Sequence, residues 1–310
     1  MSNINKKLSL VIPTKNRPED LIELVDSIMS QSLMPDELII IDQSLDSNSH
    51  NNIKDLFSKL NPKTKLIYVL DSSIKGLVAA KNYGVKESSG DIISFLEDDE
   101  LLSTNYLKNT FDLFNKNENI LGCSGVVSNI RRSIFYEILF KIFHRGIFFD
   151  KRVDVVKYKD CNGSGDLISS THISGGLSSY RKEVFKKIAY DLNNDFFYCE
   201  DIEFSMRASD FFGVERFVIA TNICLVHLMS DINRDVLEPR WRRKTNEFIL
   251  LYKKNRHKKY SLINIIWLMI GLFLEAIYSV FIKKSFRPII GFLRGFIIGI
   301  NYEIIDSNNL

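Results

Sequence analysis

Glu97-Asp-Asp-Glu100 places four acids in succession at the end of an apolar run that begins at Gly90-Asp91. Carboxylates this close repel one another unless something positive sits among them. Hard oxygen ligands at a strand end suit Mg2+ or Mn2+, which keep some waters and take further ligands from substrate phosphates. Glu97, Asp98 and Asp99 thus read as a metal and diphosphate site. They also read as a solvated acidic turn opening a helix from a Ser103 cap through Asn115, with Glu100 near its positive end. Glu200-Asp201 precedes apolar Ile202, Phe204 and Met206 and basic Arg207. The pair fits a base for an attacking hydroxyl, or acids that complement a helix dipole. His227 follows the apolar run Ile219 to Val226 and reads as a half-buried histidine near a strand end or as a ligand. His50, His144, His172 and His257 have no partner at ligand spacing. Cys123, Cys161, Cys199 and Cys224 form no Cys-x-x-Cys pair, which argues against zinc and a disulfide framework and for reduced thiols.

The elements that position these groups are written in the hydropathy. Leu8 to Ile12, Leu38 to Ile41, Leu66 to Leu70 and Asp91 to Leu96 are short apolar runs of the kind found in buried strands. Between them helical spacing recurs at Leu21, Leu24, Val25 and Ile28, at Ile53, Leu56, Phe57 and Leu60, and from Leu77 through Val85. Asn16 is the expected cap of the first helix, with Pro18 in its first turn. Strand and helix alternate, so the fold class is α/β with a mostly parallel central sheet flanked by helices. Right-handed crossovers bring the polar strand ends to one edge, where Asp42, Asp71 and the Glu97 to Asp99 cluster line one crevice.

Val11-Ile-Pro13-Thr14-Lys-Asn-Arg17, Ile40-Ile-Asp42-Gln-Ser44, Gly76 with Ala80-Lys81-Asn82-Tyr-Gly84, and Gly90-Asp91 running into Glu97-Asp98-Asp99 together resemble the family 2 glycosyltransferases. The resemblance continues through Ser174-Gly175-Gly176-Leu-Ser-Ser-Tyr-Arg181 and Glu200-Asp201 to Arg243 and Tyr252. It implies a GT-A fold with a Rossmann-like sheet, and transfer of a sugar from a nucleotide-diphosphate sugar by metal-assisted single displacement with inversion. It further implies that Pro13, Thr14, Asp71 and Asp98 border the donor, that Asp42 bonds its base, usually uracil, and that Lys81 and Asn82 lie nearby. Asp99 with Glu97 or Asp98 is implied to hold the metal, Mn2+ or Mg2+, and His227 to join its shell. Gly175, Gly176 and Arg181 are implied on the acceptor side, with Asp201 the base and Glu200 its neighbour. Glu97 where the family has Asp, and Lys81 where it has Arg, keep charge but change reach and geometry.

A net charge of +3 over 310 residues names no partner by itself, but its distribution does. Arg240 to Lys259 is strongly basic with one acid, Glu247, and lacks the interleaved stacking aromatics of a nucleic-acid site. Anionic lipid headgroups fit it better, because Leu262 to Ile282 and Phe286 to Ile300 follow and are almost wholly apolar. Glu275 inside the first run and cationic residues on both flanks oppose a simple span. Helices lying in the cytoplasmic leaflet fit these flanks; packing on the protein itself, or in a homo-oligomer interface, is the other reading. Arg131 to Asp150 is aromatic and basic and reads as an amphipathic helix over the acceptor or the membrane, or as core through Ile134, Ile138, Leu139 and Ile142. Asn162-Gly-Ser-Gly165 reads as a loop. Met1 to Lys7 carries no apolar signal segment, so the catalytic domain is expected to face the cytosol.

The expected organisation is a catalytic domain over 1–230, with a donor half to about 125 and an acceptor half from 126, a basic linker and helix over 231–260, and a membrane-associated tail over 261–310. The function read from these features is transfer to a hydroxyl of a saccharide or lipid-linked acceptor at the cytoplasmic face of the membrane, by a peripheral or monotopic protein. A sugar nucleotidyltransferase, or a non-catalytic membrane adaptor on the same fold, is the alternative.

Overall fold

The computed structural model describes residues 6–46, 48–60, 63–144, 153–161, 165–194, 196–230, 236–255 and 262–305. In chain order the elements are β1 (Leu8–Thr14), α1 (Pro18–Met29), β2 (Glu37–Asp42), α2 (Asn48–Leu60), β3 (Lys65–Leu70), α3 (Leu77–Glu87), β4 (Ile92–Phe95), β5 (Glu100–Leu102), α4 (Tyr106–Lys116) and β6 (Gly122–Val127). They continue with α5 (Ile134–Leu139), a π turn (Phe140–His144), β7 (Leu167–Ser169), β8 (Ser178–Arg181), α6 (Lys182–Phe185), α7 (Glu200–Phe212), β9 (Phe217–His227), α8 (Glu238–Lys254), α9 (Leu262–Lys283) and α10 (Arg287–Asn301).

The chain divides into two compact units that interleave in sequence: 1–130, 153–190 and 204–233 form one, and 131–152, 191–203 and 234–310 the other. The expected serial segments at 125, 230 and 260 cut the chain differently.

The first unit is a sheet in the order β3-β2-β1-β4-β8-β6-β9-β5, with β7 on β9. β3, β2, β1 and β4 are parallel, as the alternation predicts. Beyond β4 the sheet becomes mixed, since β8 runs antiparallel to both β4 and β6, and β5 and β7 run antiparallel to β9. Successive side chains of a strand point to opposite faces. Leu8, Leu10 and Ile12 therefore cluster with Leu21, Leu24, Val25 and Ile28 of α1, while Val11, Ile39 and Phe95 cluster with Val78 and Ala80 of α3. A Cβ on Gly84 would meet Val11 Cγ1 at 2.3 Å, so glycine lets α3 lie against β1. The strand order reverses between β1 and β4, and the ends of these strands frame the crevice where α/β sheets bind ligands.

Several local expectations are corrected. Asn16 does not cap α1: it has φ 54 and donates its backbone N–H to Ser44 Oγ, and Arg17 is the N-cap residue. Ser103 does not cap α4, which begins after Asn105. Asp98, Asp99 and Glu100 are buried, and Glu100 opens β5 opposite His227, which excludes the solvated acidic turn. Cys161 and Cys224 are joined as a disulfide across 63 residues, against the expectation of reduced thiols; β7, six residues after Cys161, pairs with β9, which carries Cys224. Ser174 is followed by a short turn, Gly175–Leu177, that leads straight into β8.

The second unit is helical. Phe248, Leu250 and Leu251 of α8 and Leu268, Leu272 and Ala276 of α9 are buried. Ser133 caps α5, accepting from the Tyr136 N–H. Of the apolar positions expected to make this segment core, Leu139 is buried whereas Ile134, Ile138 and Ile142 are exposed. Arg145, Phe148, Phe149 and Asn162 to Ser164 of the expected loop lie outside the described residues. Glu275 lies within a buried ionic cluster: Lys244 Nζ of α8 is 2.5 Å from its Oε2, and His144 Nε2 is 2.7 Å from its Oε1. Burial alone would raise the Glu275 carboxyl, but Lys244 and His144 bring it down to about 2.

Candidate active site

Glu97, Asp99 and His227 converge because β5 pairs antiparallel with β9 in the register Glu100 to His227. Each contributes one ligand atom, and these atoms lie within 4.8 Å of one another. His227 Nδ1 accepts the Met229 N–H at 3.0 Å, so the neutral ring carries its proton on Nε2 and donates it to Glu97 Oε2 at 3.1 Å. Asp99 Oδ2 accepts the Ser230 N–H at 3.0 Å and stands 3.7 Å from His227 Nδ1. Two carboxylates and an imidazole with a fixed outer partner fit a hard or borderline divalent cation. Gly176 belongs to the same place: a Cβ there would stand 2.7 Å from Glu97 Oε1 and 2.9 Å from Glu100 Oε1. A side chain here would push the two glutamates aside, so glycine lets them stand where they do.

Asp98 is turned to β1 and the loop after it, accepting from Thr14 Oγ1 and Arg17 Nη1, each at 2.7 Å. Burial pushes its carboxyl up to about 6 even though Arg17 and Thr14 pull the other way. Arg17 is also 3.7 Å from Asp99 and supplies the positive charge that the acid run requires. Its importance was missed at the sequence level, although it closes the Val11 to Arg17 motif. Pro13 precedes Thr14 in β1, opposite Ile41.

Asp42 ends β2 fully buried; one oxygen accepts the Tyr68 hydroxyl at 2.6 Å and the other the Ser44 N–H at 2.9 Å. His50 lies 4.5 Å from the Tyr68 ring. Tyr68 was read as part of an apolar run, with no signal to set it apart. Asp71 accepts from its own turn at Ser73, which lowers its carboxyl, and its N–H donates to the Asp42 carbonyl. Lys81 is buried between the Phe95 and Tyr190 rings and donates to the Gly175 carbonyl at 3.2 Å. Asn82 binds the Tyr190 backbone through both ends of its amide. Arg181 donates to the Ile120, Phe114 and Asn117 carbonyls, clasping the end of α4.

Glu200 and Asp201 open α7 in the second unit. Glu200 is buried, and Asp201 Oδ1 accepts the Ile202 N–H at 2.7 Å. The approach to this turn is held from α8: one oxygen of Glu247 accepts the backbone N–H groups of Phe197, Tyr198 and Cys199 at 3.0, 2.6 and 2.7 Å. In the sequence Glu247 is a single acid in a basic block, and nothing there discloses this partner.

The comparisons with known proteins bear on the family and the fold. The uncharacterized glycosyltransferase YwdF of Bacillus subtilis (strain 168) is 28% identical over 229 residues, which is 73% of this chain and 75% of that protein. The GalNAc(5)-diNAcBac-PP-undecaprenol beta-1,3-glucosyltransferase of Campylobacter jejuni is 36% identical over 100 residues, 31% of each chain. The solved mannosyltransferase PcManGT from Pyrobaculum calidifontis, in complex with GDP-Man and Mn2+, matches with a TM-score of 0.61 at 15% identity over 95% of this chain and 86% of that one. That likeness establishes the shared GT-A fold. Residues 9–189, from β1 through the Gly176 turn and α6, match the family described as Glycosyl transferase family 2, and the chain belongs to that family.

Proposed function

We propose that this protein is an inverting glycosyltransferase that moves a sugar from a nucleotide-diphosphate donor, a UDP-sugar in the favoured reading, to a hydroxyl of a saccharide or lipid-linked acceptor. The observation that carries this reading is the convergence of Glu97, Asp99 and His227. When bound there, Mn2+ or Mg2+ would neutralise charge that develops on the departing diphosphate. Asp98, fixed by Thr14 and Arg17, shapes the donor side of the crevice. Asp42, an acceptor held by Tyr68 and Ser44, meets N–H groups on the edge of the base, and Lys81 adds positive charge behind Gly175. Asp201, with Glu200 beside it, takes the proton of the acceptor hydroxyl as its oxygen bonds the anomeric carbon and the bond to the diphosphate breaks. Gly175 and Gly176 border the acceptor side, where the missing Cβ of Gly176 leaves room for the Glu97 carboxylate.

The relative from Campylobacter jejuni is named for an undecaprenol-linked saccharide, which supports a lipid-linked acceptor here. α9 is long and apolar enough to cross a membrane, with a mean hydropathy of 2.2. Together with the basic α8 these features support work at the cytoplasmic leaflet, on anionic lipid, by a peripheral or monotopic protein.

The test is thermal stabilisation of the detergent-solubilised protein by UDP, GDP and dTDP, each with and without Mn2+. Ligand at a hundred times its dissociation constant contributes about 2.7 kcal/mol. Stabilisation by one nucleotide that requires metal and disappears in Asp99→Asn is the expected result. With the donor site so established, full transfer by Asp201→Asn would remove the base assignment; no stabilisation by any nucleotide would favour an adaptor.

A further inference from the structure

α10 is packed inside out. Gly291, Gly295 and Gly299 recur every fourth residue and lie on α8, where an added Cβ would come within 2.4 Å of the Glu238 carbonyl oxygen, 2.3 Å of the Arg242 carbonyl oxygen and 2.9 Å of Ile249 Cβ. The helix thus buries its smallest face and turns Leu293, Ile297 and Ile300 outward, each at least half exposed. A helix whose last partner is water does the reverse. α9, its neighbour through the Phe273 and Phe292 rings at 5.3 Å, exposes Ile263, Ile266, Trp267 and Ile270 while burying Leu268, Leu272 and Glu275. α5 joins the other flank of α9: the Phe135 ring lies 4.6 Å from Tyr278, and Trp267 Nε1 donates to the Ile142 carbonyl at 2.9 Å. Ile134, Ile138 and Ile142 extend the exposed apolar surface there.

The charge around this surface has one sign where the chain turns from α9 to α10. Between Glu275 and Glu303 the sequence holds Lys283, Lys284, Arg287 and Arg294 and no acid. Lys283, Lys284 and Arg287 are exposed. A second copy docking here by a two-fold axis that passes near this turn would bring the cationic residues toward their own images. Anionic headgroups over an apolar interior complement it. Glu275 fixes how far the surface can enter lipid. It is buried with Lys244 and His144, so a spanning α9 would have to leave its face on α8 and strand three ionisable groups.

The geometry points to the joined outer faces of α5, α9 and α10 as a monotopic seat for one leaflet of an anionic bilayer, with α9 lying along the membrane. This inference rests on the membrane reading given above and adds the face, the depth and the contribution of α5.

Flotation of the full-length protein with vesicles of phosphatidylcholine alone, or mixed equally with phosphatidylglycerol, tests it. The wild type is expected to float with the anionic vesicles and, on sealed vesicles, to leave both ends of α9 open to a membrane-impermeant maleimide through cysteines introduced by Leu262→Cys or Lys284→Cys. Leu293→Asp with Ile297→Asp, and separately Ile134→Asp with Ile138→Asp, are expected to lower binding more than tenfold. Phe211→Asp, an exposed apolar position on α7 in the other unit, is expected to bind as the wild type does. Lys283→Ala with Lys284→Ala should weaken binding by about fivefold per residue at low salt and little at high salt. Circular dichroism and melting temperature confirm that each variant is folded. Undiminished binding by the folded face variants would overturn this seat while sparing the membrane reading, and protection of one end of α9 inside sealed vesicles would overturn the single-leaflet geometry. A wild type that binds no vesicle would remove the membrane reading itself, and a dimer broken by the face substitutions, with vesicle binding intact, would assign the surface to a second copy.

Discussion

A single ring fixes the chemistry of the acidic cluster. Because Nδ1 of His227 accepts the Met229 N–H, the neutral ring keeps its proton on Nε2 toward Glu97; to hold a cation through Nε2 the ring would move that proton to Nδ1 and give up the Met229 contact. Replacing His227 with Gln keeps a polar side chain but removes the ring nitrogen and the contact with Met229. Mn2+ affinity measured by calorimetry is expected to fall by about tenfold or more, the scale on which metal sites respond to lost support. Unchanged affinity would take His227 out of the site. At this scale much was legible. Glu97, Asp99 and His227 stand out as residue types that ligate, and the structure brings them together. Arg17 and Tyr68 were not legible as partners of Asp98 and Asp42, because an arginine in a loop and a tyrosine in an apolar strand disclose nothing about what they will meet across 81 and 26 residues.

Helix α8 shows how an element can act at a site that its own sequence does not announce. Its Glu247 carboxylate takes the three N–H groups leading into α7, where helix termini leave donors unsatisfied. Glu247→Ala would strand those donors, and each buried donor left without a partner costs about 1–3 kcal/mol. Glu247→Gln keeps an acceptor and isolates the charge. Burial pushes the Glu247 carboxyl up to about 8, from 4.5. A folded-state value above the unfolded one means the folded protein holds the proton more tightly, so the stability tied to that proton is complete below about 4.5 and lost as pH rises through about 8. Melting temperature is therefore expected to decline between these values more steeply in the wild type than in Glu247→Gln, and equal slopes would show that Glu247 does not titrate there. The elements themselves were largely written in the hydropathy: the parallel strands, α1 through α3, and both apolar tail helices occur where periodicity places them. Periodicity failed where it had to name the buried side. Ile134, Ile138 and Ile142 repeat with helical spacing yet face outward, and α10 packs through glycines that a hydropathy pattern scores as neutral.

For the whole molecule, the disulfide and the proposed compartment make opposite demands on the same two cysteines. Cys161 and Cys224 stand with Cα atoms 6.2 Å apart, a separation a disulfide accommodates. Their bond closes a loop of 63 residues, and by chain entropy it is worth about 4 kcal/mol against the unfolded state. The cytosol holds such pairs reduced, while the compartments outside it let them persist. A family 2 catalytic unit working from cytosolic nucleotide sugars would therefore carry two thiols in the cell and gain the bond on exposure to air. Acid-quenched cells treated with a maleimide polymer are expected to show both cysteines modified, by comparison with Cys161→Ser and Cys224→Ser, and the purified protein is expected to melt lower after dithiothreitol than before it. Blocked cysteines in the quenched cells would place this unit on the other side of the membrane. The positively charged turn at Lys283 and Lys284 would then meet the outer leaflet, and the donor would have to be a sugar carrier found there instead of a cytosolic nucleotide sugar.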